Sequence, residues 1–116
     1  MDEQSQKPTL QELQSALQNL YILLNQAYWV ATTIDAKDKI HGLAEALFEI
    51  LTDLNKADMS SRTPEYIAIE KQVKTVNDKL DKLKAEIDEI IHVVQTAVQV
   101  ANAIDKLISI AAKFFI

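Results

Sequence analysis

From Tyr66 and Ile69 through Leu80, Leu83, Ile87, Ile90 and Val94 to Ala111 and Phe115, an apolar or small residue recurs every third or fourth position. The steps alternate, and no glycine or proline interrupts them. This is a heptad pattern kept for about seven repeats, well beyond what a chance run supplies. It predicts one long helix over 64–115, reaching about 75 Å if unbroken. Thr63 stands ready to cap it, Pro64 to occupy its first helical position, and Glu65 to complement the helix dipole.

The first half of the chain carries the same rhythm in Leu10, Leu13, Leu17, Leu20, Leu24, Ala27, Ala31 and Ile34, predicting a helix over 9–34. Thr9 and Glu12 form the T-x-x-E pattern of a capping box at its start. Around Thr32 and Thr33 the register slips, because the next seam residue is Ile40 where a heptad step from Ile34 would fall one later. A second helix over 36–58 comes next, with Asp35 as its expected cap and Gly42 inside it. No glycine or proline enforces a turn at the slip, so the residues allow either a reversal or one long helix with a phase change. Residues 58–63 read as a loop and residues 1–8 as a disordered polar tail.

Together these elements predict an all-α fold, an antiparallel helical hairpin with long coiled-coil-like helices, three in number. Residues 9–34 would lie beside 88–113, and 36–57 beside 65–86, so that charge-poor segments meet each other and charge-rich ones do likewise. The alternative is that both arms fold over near Asp35 and near Glu89, giving a four-helix bundle. The unbroken register through Glu89 favours the long helices. A two-helix hairpin has little core, so this reading includes self-association.

Composition narrows the function. A length of 116 residues with one glycine and two prolines suits a single helical domain. A net charge of -5 and one arginine argue against nucleic acid, which needs a clustered basic surface. The absence of cysteine excludes disulfides and thiol chemistry and fits the cytoplasm. The acidic, polar start does not resemble a secretory signal peptide, which leaves export without a cleavable signal open. No window is apolar enough to predict a membrane span.

Helix one is unusual on its outer side. Between Thr9 and Ile34 the only charge is Glu12; glutamine and asparagine supply the polarity. Ile22 and Trp29 lie opposite the seam, flanked by Tyr21 and Tyr28. After Glu89 the second arm widens its apolar face to include Ile91, Val98, Leu107 and Phe114. These eight side chains are the expected interface, since aromatic residues anchor protein contacts and a helix apolar on two sides needs two covers.

Candidate chemistry is sparse. Asp38-Lys-Ile-His41 and Glu89-Ile-Ile-His92 have the spacing found in helical di-metal centres, yet neither histidine lies on the seam and no acid joins them there. There is no glycine-rich phosphate loop, no nucleophile context and no carboxylate pair, so the residues predict neither enzyme activity, nor a cofactor, nor a metal. In length, lack of cysteine and helical outline the chain resembles the small secreted helical hairpins of the WXG type. Its Trp29-Val30-Ala31 lacks the glycine of that motif and precedes the loop, so the resemblance implies shape and no function.

The functional expectation is a non-catalytic protein–protein interaction module: a self-associating adaptor, scaffold or small accessory chaperone. Only its size and helical style point toward a secretion or toxin system. Two other classes compete, a membrane-active amphipathic helical protein and an immunity- or antitoxin-like binder. The latter would use the acidic face of Asp38, Glu45, Glu49 and Asp53.

Overall fold

Each of the first three helices starts where a threonine hydroxyl accepts a hydrogen bond from a backbone amide that would otherwise lack a helical partner. The computed structural model describes residues 7–116. Helix α1 spans Leu10–Tyr28 behind a closed capping box: Glu12 N donates to Thr9 Oγ1 at 3.1 Å, and Thr9 N donates to Glu12 Oε1 at 2.8 Å. Helix α2 spans Ile34–Lys56, and its cap is Thr33, whose Oγ1 accepts from Ala36 N at 3.0 Å. Asp35, the cap expected from sequence, instead occupies the first turn, where its charge faces the positive end of the dipole. Helix α3 spans Pro64–Ala85 with Tyr66 N donating to Thr63 Oγ1 at 3.1 Å. In the turn before it, Asp58 Oδ1 accepts from both the hydroxyl and the amide of Ser60, which holds the Asp58 carboxyl below its ordinary pKa.

The single long helix expected over 64–115 is broken. A one-turn helix α4, Ile87–Ile90, and then α5, Val94–Phe114, come after α3, and neither has a side-chain cap. The helix expected over 9–34 likewise stops at Tyr28. Both arms leave the helix at the same level, and the two bends pair there. Ala31 and Ile91 form an antiparallel bridge, with Thr32 N donating to the Ile90 carbonyl at 2.9 Å and His92 N to the Val30 carbonyl at 3.1 Å. Thr32 Oγ1 adds a bond to the Glu89 carbonyl at 3.2 Å. Backbone groups released by one break are thus satisfied by the other.

The bends let each long helix pack on two neighbours. Helix α1 lies against α2 and α5, and α3 lies against the same two. The core that results is aliphatic: Leu13, Leu17, Leu20 and Leu24 of α1 meet Ile40, Leu47 and Leu54 of α2, Leu80 and Leu83 of α3, and Ile104 and Leu107 of α5. At the end away from the bends, Tyr66 stacks on Phe114 at 6.4 Å and meets Phe115 edge-on at 5.5 Å. The longest extent is 42 Å, little more than half the length of the unbroken helix expected from the heptads. Burial explains the difference: straight arms would leave the wide apolar faces of α1 and α5 in water, whereas folding both arms over covers them. The tail expected over 1–8 lies, through residue 6, outside the described residues.

Candidate interaction surface

The order of the helices sorts the charges. Helices α1 and α5 are adjacent and carry only Glu12, Asp105, Lys106 and Lys113 between them, while α2 and α3, on the opposite side, hold most of the remaining charges. The molecule therefore has one nearly neutral, amide-rich side and one densely charged side. Polar side chains cross-link neighbouring helices both within the charged side and across to α5. Lys39 Nζ reaches Glu86 Oε1 at 2.8 Å and Gln72 reaches Asp53 at 3.3 Å across α2 and α3, and Lys84 Nζ reaches Asp105 Oδ1 at 2.6 Å across α3 and α5. The hydrogen bond from Lys84 to the Asp105 carboxylate raises the Lys84 pKa above the ordinary lysine value.

Of the large apolar side chains left in water, Phe48 lies in the middle of α2 and Ile116 beyond the end of α5, and four others lie where the arms bend. Trp29, Ile34 and Val94 are 77%, 77% and 76% exposed, and Val93 is also exposed. All four lie within a few residues of the Ala31–Ile91 bridge. Trp29 sits at the C-cap of α1, edge-on to Tyr28 at 5.2 Å. Lys37 Nζ lies 5.1 Å from the Tyr28 ring centre and 5.8 Å from that of Trp29, a cation–π contact that orients both rings. Ile22 on α1 and Val98 on α5 extend the exposed apolar surface along the neutral side.

Of the eight interface residues predicted from sequence, five are at least partly on the surface. Ile22, Trp29 and Val98 are exposed; Tyr21 and Tyr28 are half-buried on the α2 side of α1, where Tyr21 packs against Phe48 at 5.8 Å and Tyr28 faces His41 at 6.2 Å. Ile91, Leu107 and Phe114 are buried in the chain's own core, so they are not offered to a second molecule. The fold-over explains this, because it supplies from within the chain the cover that the widened α5 face requires. Ile34 and Val94, by contrast, are not marked as surface by periodicity, since both read as seam residues. Only a break in the helix puts them in water.

The two histidines remain apart from any ligand cluster. His41 Nε2 lies 3.6 Å from Glu45 on the outer side of α2, and His92 sits in the second bend. No group of three or more side chains able to hold a metal occurs among the described residues. The acidic residues Asp38, Glu45, Glu49 and Asp53 stay on the outward side of α2, with Asp53 engaged by Gln72. No helix among the described residues is long and apolar enough to cross a membrane. Compared with protein-family models, curated proteins and solved structures, the chain matches none of them.

Proposed function

We propose that this protein is a non-catalytic interaction module that binds protein, first of all a second copy of itself, through its neutral side and the apolar end formed by the two bends. The observation that carries this reading is the gathering of Trp29, Ile34 and Val94, each about three-quarters exposed, at one end of the molecule. Isolated exposed apolar residues are ordinary; several together beside a charge-poor surface mark a contact region. Charge is also scarce on α1 and α5, so a partner must match amide and apolar surface, and the same side of another copy has that character. In a cell such a module serves as an adaptor, a scaffold or a small accessory chaperone.

Light scattering after size exclusion tests this. The wild-type chain is expected to dimerise or assemble further as concentration rises, and the double substitution Trp29→Ala and Ile34→Ser to shift it toward monomer. A wild-type chain that stays monomeric at every concentration and captures no protein sinks the reading.

A further inference from the structure

The two bends differ in how firmly the sequence specifies them. The first has its own local device: the heptad slips between Ile34 and Ile40, the β-branched Thr32 and Thr33 lie within the bend, and Thr33 caps the start of α2. The second has β-branched residues as well, Ile90, Ile91, Val93 and Val94, but neither a phase change nor a cap. Leu83, Ile87, Ile90, Val94 and Ala97 keep the alternating spacing straight through it, no glycine or proline lies near, and both α4 and α5 start without a side-chain cap. The cause of the bend at 86–93 is tertiary: the bonds from Thr32 N and His92 N across the bridge, and the seat of α5 between α1 and α3. The bend also strands a seam residue, because Val94 is 76% exposed while Leu83 and Ala97 on the same seam are buried.

We infer that α5 is an exchangeable arm: the segment 86–93 straightens so that α3, α4 and α5 become one continuous helix, and α5 of each copy fills the place between α1 and α3 of the other. This rests on the reading that the chain self-associates, and it names how. The exchanged dimer keeps the contacts of α5 with α1 and α3, now made between copies, and gives up only those of the hinge itself, the α4–α5 packing and the bridge. It adds a feature that the closed chain lacks, a continuous heptad through the hinge. Around the two-fold axis the long helices run antiparallel, and Ile87, Ile90 and Val94 of one copy meet those of the other. The continuous helix over 64–114 would span about 75 Å, against the present longest extent of 42 Å.

Position 94 separates this exchange from simple surface docking. Val94 is the first residue of α5, where proline is tolerated, and Val93 before it has φ -86° and ψ 113°, the extended conformation that a proline at the next position requires. Val94→Pro therefore fits the closed chain and disfavours the straight helix by roughly a hundredfold or more. Val94→Ala removes most of the same apolar surface yet favours helix. Each protein is refolded from denaturant at high concentration and analysed by size exclusion with small-angle scattering. The expected result is an elongated dimer for wild type and Val94→Ala, lost in Val94→Pro. As a second arm, Ala31→Cys with Ile91→Cys, in a chain with no other cysteine, locks the closed form across the bridge; the oxidised protein is expected to stay monomeric and the reduced protein to regain the dimer. A dimer that survives in Val94→Pro and in the oxidised pair overturns the exchange and leaves surface docking standing. A wild-type chain that never dimerises overturns both.

Discussion

Ala31 and Ile91 face each other as a one-pair antiparallel bridge, flanked by hydrogen bonds of 2.9 and 3.1 Å from Thr32 N and His92 N. A bridge of this kind in an all-helical chain fixes two reversals at once, because each bend supplies the acceptor that the other bend's amide needs. Its residues belong to loops, yet their amides are as firmly engaged as those of a helix.

Hydrogen exchange tests that engagement. The amides of Thr32 and His92 are expected to exchange at least tenfold more slowly than those of the adjacent Thr33 and Val93. Exchange of all four at loop rates would show that the bends are not held together in solution.

Gly42 is the only glycine, lies in the interior of α2, and is exposed with open space where a Cβ would project. Alanine there loses nothing in packing and restricts the unfolded chain. Gly42→Ala is expected to stabilise the protein by about 0.5–1 kcal/mol, read as a raised melting temperature or urea midpoint. A lowered midpoint would mean that this stretch is not helical.

The separation of core from surface among the predicted interface residues has a direct energetic consequence. Leu107 is fully buried, so Leu107→Ala is expected to cost about 2–5 kcal/mol. Trp29 is 77% exposed, so Trp29→Ala at monomer concentrations is expected to change stability by no more than about 0.5 kcal/mol. Denaturant titration of the two variants checks both. Equal losses would contradict the placement of one residue or the other.

How far the sequence anticipates this structure depends on which feature is local. The threonine caps at Thr9 and Thr63 are readable because the hydroxyl, the first helical turn and the acid or proline beside it lie within a few residues. The aliphatic core is readable because helical spacing puts Leu13, Leu17, Leu20 and Leu24 on one stripe. The break at 86–93 is not readable, since the heptad continues through it and its causes are amides at Thr32 and His92 whose acceptors lie more than fifty residues away. That break, against which the unbroken register argues, also accounts for the α5 part of the site. It turns Leu107 and Phe114 toward the chain's own core, and it leaves Val94, which belongs to the seam by spacing, in water.

The ion pair between Lys84 and Asp105 joins α3 to α5 at 2.6 Å, and it raises the Lys84 pKa above 10.5. A group whose pKa is raised on folding contributes stability that is fully present below its unfolded value and disappears as pH climbs through the folded value. Melting temperatures of wild type and Lys84→Met are therefore expected to differ at neutral pH and to converge above 10.5. A difference that holds constant through the alkaline range would show that the ion pair contributes nothing.

Trp29 is the sole tryptophan and stands in the middle of the proposed contact region, so its fluorescence reports on that region alone. The most direct measurement is its emission and acrylamide quenching across a dilution series, with light scattering on the same samples. Self-association through the bend end predicts a solvent-exposed emission in dilute monomer, shifting to shorter wavelength and losing quencher access as the dimer forms. An emission that stays fully exposed while scattering reports a dimer would contradict it.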